Sequence, residues 1–177
     1  MICDANNAAN PIIVRRTHAV WKAFEEGPPT DNIFGHSVKH SYRERRRQII
    51  AERWPALEER ILERLVWGTF GLHRESIIQR AEEMLATGII PESPFPLNRV
   101  PIDPDKGDCI ENLIHPHALR DELRNLGFSV KVYAHFGGSK GPLYAAANRI
   151  LRAFSPVTLG RARAFKIVAA KKQSSEG

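Results

Sequence analysis

The stretch LGFSVKVY, residues 126–133, decides the fold of this chain. Phe128, Val130 and Val132 alternate with residues of other character, which is the two-residue period of a half-buried strand. Gly127 stands where a helix C-terminus needs a left-handed backbone, which glycine adopts without steric cost. The stretch therefore predicts the end of one helix and the start of one strand.

The flanking sequence extends this pattern to a helix-strand-helix-strand unit over residues 115–171. Leucines recur at helical spacing before Gly127, and Pro142 opens a second amphipathic segment. Two segments with the two-residue period are separated by one long excursion. We therefore expect residues near 128–135 and 163–170 to form an antiparallel pair of strands.

The preceding sequence is predicted to be mainly helical, within a single domain of residues 1–177. Asn10-Pro11 is typical of a helix N-terminus, and Ser41 with Glu44 suggests a capping box. Residues 172–177 form a polar tail. Helices are expected at 11–25, 41–53, 55–67 and 74–87, with loops at 25–35 and 91–107; the segment 36–88 is interpreted as a helical insertion.

Composition indicates an ordinary globular protein. The chain has 177 residues, of which 42% are hydrophobic and 26% are charged, and this length allows one domain with a substantial core. The longest apolar runs are too short to span a membrane. Its two cysteines, Cys3 and Cys109, are far apart, which favours a reducing compartment and a cytoplasmic location.

The net charge of +6 has two interpretations. Basic clusters at 15–16, 43–47 and 171–172 are compatible with an acidic substrate or with nucleic acid. Alternatively, the central cluster is a solvated helix face, because Glu44 and Glu52 are interspersed with its arginines. Aromatic residues do not alternate with the arginines, which argues against a nucleic-acid stacking surface.

Both ends of the chain resemble one enzyme family. The helix ending in LGF (126–128), the valine-rich strand after it and the final AFKIVAAKK (164–172) resemble the C-terminal end of class I S-adenosylmethionine-dependent methyltransferases. MICDANN (1–7) resembles the end of that family's fifth strand and the loop after it. The resemblance covers the whole chain, but only as the C-terminal portion of the family's fold.

The resemblance implies a fold and an activity. The fold would be α/β, a partial Rossmann-like sheet whose last two strands form an antiparallel edge hairpin, with a large helical insertion covering the acceptor pocket. The methyl donor would be S-adenosylmethionine, and the acceptor an unidentified small molecule. In such enzymes the acceptor atom displaces the methyl group directly, and positioning supplies the catalysis without a metal.

The family's donor-binding half has no counterpart in this sequence. The glycine-rich turn after the first strand and the ribose-binding acid after the second strand are absent. The chain alone is therefore expected to be inactive and to bind S-adenosylmethionine weakly or not at all, as a truncated or split protein would. No catalytic or cofactor-binding residue is assigned.

The missing strands also predict association. A sheet cut after its fourth strand leaves an apolar edge, near Ile2, Ile167 and Val168, that can template pairing with another chain. We expect either self-association or a partner chain that supplies the missing half of the sheet.

A polar cluster near the N-terminus is the first candidate substrate-binding site. Asp4, Asn6, Asn7 and Asn10 follow or end the predicted first strand. In the loop that follows the family's fifth strand, their amides and carboxylate would orient a polar substrate. The alternative is ordinary turn and cap chemistry, which Asn and Asp supply anyway.

Two further candidates complete the predicted set. Tyr42 and Arg43, with Arg46 and Arg47 one turn further along, would hold an anionic acceptor, or would form an exposed helix face. His115 and His117 would frame the acceptor pocket, or would be an N-cap and a first-turn residue. No carboxylate motif completes a zinc site around the histidines, so no metal is predicted.

Two alternatives to a methyltransferase remain open. The chain would be a non-catalytic basic module that binds a partner protein or nucleic acid through its arginine face, or a gene fragment without independent function.

Overall fold

The computed structural model describes residues 2–33, 35–93, 99–110, 112–136 and 141–171. The chain divides into two compact units, one of Met1–Thr17 with Asn112–Gly177 and the other of His18–Glu111. The strands are β1 (Ile2–Asn7), β2 (Thr30–Ile33), β3 (His36–Val38), β4 (Leu113–Ile114), β5 (Phe128–His135) and β6 (Ala164–Lys171). The helices are α1 (Pro11–Glu26), α2 (Tyr42–Arg53), α3 (Glu59–Gly68), α4 (Arg74–Thr87), α5 (Pro116–Asn125), α6 (Pro142–Ala153) and α7 (Ser155–Thr158).

The first unit contains a four-stranded mixed sheet in the order β4-β1-β6-β5. Strands β5 and β6 pair antiparallel from Phe128 opposite Lys171 to His135 opposite Ala164. This confirms the predicted hairpin partners, with β6 displaced by one residue from the expected 163–170.

Strand β1 lies between two partners of opposite direction. It is antiparallel to β6, with Ile2 opposite Val168, and parallel to β4, with Asn6 opposite Leu113. Strand β4 was not predicted, because two residues are too few for any periodicity to appear. It pairs only with the last two residues of β1, so in the described chain residues 2–5 pair on the β6 side alone.

The core of the first unit lies on one face of this sheet. Val130, Ala134, Phe165 and Ile167 are buried there together with Leu123 of α5. Lys131, on the opposite face of β5, is exposed, as the two-residue period of a strand requires. Helix α5 ends as predicted, with Gly127 in the left-handed region at φ 84°.

The second unit is built on three helices. Ile49 and Ile50 of α2, Leu65 of α3 and Ile77 of α4 are fully or almost fully buried in one core, and the apolar periodicity predicted this set. Ser41 caps α2, since its Oγ accepts a hydrogen bond from the Glu44 backbone N–H at 3.1 Å.

Gly68 sets the contact between α3 and α4. A Cβ added at this glycine would lie 2.6 Å from the Met84 sulfur. Such a distance is well inside van der Waals contact, so a side chain at position 68 would require the end of the Met84 side chain to move. The sequence suggested only that Gly68 breaks α3.

Two local predictions were wrong in their boundaries. The expected loop at 25–35 contains β2, which pairs antiparallel with β3, and helix α3 begins at Glu59 rather than at residue 55. Helix α7 was not expected, because four residues carry too little pattern. The predicted polar tail, 172–177, lies outside the described residues.

The chain is therefore α/β, with seven helices and a mixed open sheet in the described residues. Among these helices, none combines the length and the apolar character needed to cross a membrane.

Candidate functional site

The second unit contains an open cleft of about 990 Å³. Its walls are the segment after α1, the connection from β3 into α2, the first turns of α2 and the loop 103–110. The side of α2 contributes Tyr42 and Arg45, and the loop contributes Asp103, Asp105 and Asp108. The volume matches that of ordinary small-molecule sites.

Tyr42 lies at the start of α2, where it is half-buried. Its ring centroid is 5.5 Å from that of Phe24, in a tilted arrangement that is typical of favourable aromatic pairs. Burial raises the pKa of Tyr42 to about 12, and the negative charges of Asp103, Asp108 and Glu25 act in the same direction. Ionisation is opposed because the phenolate would be poorly solvated and would face three carboxylates.

This environment defines what Tyr42 can do. At neutral pH the side chain is a phenol that donates one hydrogen bond and accepts others. It cannot serve as a general base there, because almost none of it is ionised. The cleft therefore offers an aromatic surface with a neutral donor, surrounded by carboxylates.

The raised pKa predicts a titration result. Of the three tyrosines, one should ionise with a midpoint of about 12 when absorbance is followed at 295 nm. Tyr42→Phe should remove this component, and Asp108→Asn should lower its midpoint. Because the folded pKa exceeds the unfolded value of about 10, the protonated phenol favours the folded state below pH ~10, and this stabilisation is lost as pH rises towards 12. A Tyr42→Phe titration identical to that of the unaltered chain would contradict the assignment.

Arg45 fixes the loop side of the cleft. Its Nε donates to Asp105 at 2.6 Å and its Nη2 donates to the other carboxylate oxygen at 2.9 Å. Arg74 of α4 adds a third contact to Asp105 at 3.1 Å. These bonds hold the pKa of Asp105 below its usual range and raise the pKa of Arg45. Asp105 is thus an ionised anchor of the loop rather than a proton acceptor.

A buried ion pair lies within the same unit. Arg46 and Glu25 are 1% and 5% exposed, and the two guanidinium Nη atoms contact the two carboxylate oxygens, one at 3.0 Å. Arg46 Nε also donates to the Val66 carbonyl at 3.4 Å, and its guanidinium lies 5.5 Å from the Phe70 ring centroid. The interpretation of residues 43–47 as a wholly exposed face is therefore wrong at Arg46, because a bidentate carboxylate compensates its burial.

The other arginines of this cluster are paired at the surface. Arg43 contacts Glu63 at 2.6 Å, and Arg47 contacts Glu59 through two bonds of 2.7 and 2.8 Å. Every arginine from 43 to 47 thus has a carboxylate of this chain as partner. Because their charge is neutralised internally, we assign no anion site to them, although Tyr42 itself lines the cleft.

Asn7 and Asn10 hold the turn that precedes β6. Asn7 Nδ2 donates to the carbonyls of Leu159 and Ala162, and its Oδ1 accepts from the Ala9 N–H at 3.0 Å. Asn10 Nδ2 donates to the carbonyls of Arg161 and Ala162, at 3.0 and 3.1 Å. Both amides are buried and engaged, which is the turn and cap chemistry that the sequence allowed as an alternative.

Asn10 also begins α1, as predicted. Its Oδ1 accepts a hydrogen bond from the Ile12 N–H at 2.9 Å. Asp4, Asn6 and Asn7, which were expected at or beyond the end of a strand, lie within β1. The pairing of β1 with its neighbours extends to Asn7. Asn6 is opposite both Leu113 and Ala164, and Asp4 is opposite Lys166.

His115 and His117 lie side by side at the start of α5. Their ring centroids are 5.7 Å apart, and His115 occupies the N-cap position without a capping bond from its side chain. Within the described ranges, no group of three or more His, Cys, Asp or Glu side chains is arranged to hold a metal ion.

The predicted substrate-binding residues do not form one site. Only Tyr42 lines the cleft, and the others belong to the first unit. Sequence reasoning missed Asp103, Asp108 and Arg45, because the loop was recognised only for its turn residues. Arg45 and Asp105 are sixty positions apart, and no local pattern predicts such a contact.

Comparison with known proteins adds no relative. No family model matches the chain, and neither a curated protein nor a solved structure is similar to it.

Proposed function

We propose that this chain is the C-terminal portion of a class I S-adenosylmethionine-dependent methyltransferase that acts on a small-molecule acceptor. The observation that carries the proposal is the arrangement of β1, β6 and β5. Strands β1 and β5 flank β6 and both run antiparallel to it, so they are parallel to each other.

This arrangement is the one that the resemblance requires. The family's last two strands form an antiparallel hairpin at one edge of the sheet, which corresponds to β5 with β6. The segment that resembles the fifth strand is β1, and it lies directly beside the hairpin. Helix α5, followed by Leu126-Gly127 and then by β5 from Phe128, leads into the hairpin in the same order as in the family.

The cleft around Tyr42 supports a small-molecule acceptor. It lies in the helical segment before β5, where the family carries the elements that cover its acceptor pocket. Phe24 and Tyr42 would contact an apolar or aromatic part of the acceptor, and the neutral phenol would donate one orienting hydrogen bond.

The residues of this chain do not fit the methyl donor. The connection from β1 to α1 is Ala8-Ala9-Asn10, which has no glycine to let the backbone approach a ligand. The amides of Asn7 and Asn10 are already used in the turn before β6. We therefore derive no step of methyl transfer from these residues, and assign the chain only the acceptor side.

The coding DNA upstream of the Met1 codon tests this proposal. We expect an in-frame sequence that encodes a strand, a glycine-rich turn and a helix, followed by a strand that ends in an acidic residue. An in-frame stop codon close to Met1, with no neighbouring reading frame that encodes this pattern, would contradict it.

The second candidate function is a basic binding module. The arginine face at 43–47 does not favour it, because each of those arginines is paired. The first unit favours it, because among its described residues Arg149 and Arg152 are exposed and have no carboxylate partner.

A further inference from the structure

Helix α6 carries an exposed apolar stripe. Leu143, Ile150, Phe154 and Val157 are 84%, 61%, 60% and 78% exposed. Their spacing of seven, four and three residues places Leu143, Ile150 and Phe154 on one face of the helix and its continuation. The opposite side is anchored, because Asn148 is buried and its Oδ1 accepts from the Phe136 N–H at 2.8 Å.

The surface beside the stripe is shallow and basic. Ala146 and Ala153 lie between the large apolar side chains and Arg149 around the helix. Alternation of large and small residues at this spacing makes the ridges and holes into which a second helix packs.

The charge around the stripe is of one sign. Residues 123–175 contain ten lysines and arginines and no aspartate or glutamate. Within the described part of this segment, the single ion pair joins Arg124 to Asp121 at 4.0 Å, so Arg149 and Arg152 have no carboxylate partner. In the other unit, by contrast, the arginines of the cluster 43–47 are paired with acids.

We propose that this stripe, Leu143, Ile150, Phe154 and Val157, with the uncompensated charges of Arg149 and Arg152 on the same helix, is the docking surface for an amphipathic acidic helix of a partner protein. The apolar residues would supply the buried contact, and the uncompensated arginines would select an acidic partner over a basic one. Aliphatic side chains at the centre offer nothing to phosphates, which disfavours nucleic acid as the occupant. A second copy of this chain would bring like charges together.

A designed peptide tests the proposal. The probe is an 18-residue helix with leucine on one face and glutamate on the rest, labelled for fluorescence anisotropy. It should bind the full chain, and Ile150→Asp should weaken binding by about tenfold or more, because one buried anchor is lost. Arg149→Glu with Arg152→Glu should weaken binding to a similar extent and reduce its salt dependence.

The controls separate this surface from a general polyanion site. Ile89→Asp alters an isoleucine of the other unit that is even more exposed, at 78% against 61% for Ile150, and it should leave binding unchanged. A scrambled peptide of the same composition and a peptide with lysine for every glutamate should bind at least about tenfold more weakly. Thermal unfolding of the Ile150→Asp chain should match that of the unaltered chain.

Three results would overturn the proposal. The first is equal binding of the scrambled peptide, and the second is binding unaffected by Ile150→Asp. The third is tighter binding to single-stranded RNA or to phosphatidylserine vesicles than to the acidic helix. The outcome of this experiment does not depend on methyl transfer, so the docking proposal and the proposed function can each fail without the other.

Discussion

Glu25→Ala is expected to lower the free energy of unfolding of the second unit by about 3–5 kcal/mol, because it leaves the Arg46 charge buried without a partner. Arg46 is 1% exposed, and its remaining contacts are one carbonyl bond at 3.4 Å and the face of Phe70. Urea unfolding monitored by tryptophan fluorescence measures this loss of unfolding free energy in the second unit, since Trp21, Trp54 and Trp67 all lie in residues 18–111.

Two variants make this test specific. Arg43→Ala removes an exposed pair on the same helix, whose side chains are 44% and 26% accessible, and should change the unfolding free energy by no more than about 1 kcal/mol. Glu25→Leu combined with Arg46→Met replaces both charges by apolar groups and should recover most of the loss. A Glu25→Ala effect as small as that of Arg43→Ala would contradict a buried pair.

Asn7→Ala is expected to destabilise the first unit by about 3 kcal/mol, because it leaves buried polar groups without hydrogen bonds. The Leu159 carbonyl and the Ala9 N–H lose their bond to Asn7, and the Ala162 carbonyl keeps only its bond from Asn10. Hydrogen exchange at the amides of β6 should accelerate accordingly, since the turn that Asn7 holds leads directly into this strand.

The control for Asn7 is Asn125→Ala, at an exposed position at the end of α5. It should change stability by less than about 0.5 kcal/mol. If Asn7→Ala proves as mild as Asn125→Ala, the amide is not a structural clamp, and its interpretation as a substrate-orienting group regains support.

Local periodicity predicted the elements that bury a regular face. The β5 and β6 pairing and the core positions of α2, α3 and α4 follow from spacings of two and of three to four residues. Strand β4 is too short to show a period. The hairpin of β2 and β3 is hidden because proline, aspartate and asparagine in 28–32 resemble a loop.

The site was less accessible to sequence reasoning than the fold. Tyr42 was named because arginines follow it, yet its environment comes from Asp103 and Asp108, which lie far along the chain. Arg46 looks like its neighbours in sequence, and only its partnership with Glu25 explains why it is buried. Such pairs depend on tertiary contacts that composition and spacing do not contain.

The most direct test of the methyltransferase assignment is calorimetric titration of S-adenosylmethionine into two proteins. These are the 177-residue chain and the same chain extended through the in-frame or neighbouring sequence upstream of Met1. We expect no measurable binding to the chain alone, and binding at micromolar concentrations once the upstream segment is present. Micromolar binding to the chain alone, or none to the extended protein, would contradict the assignment.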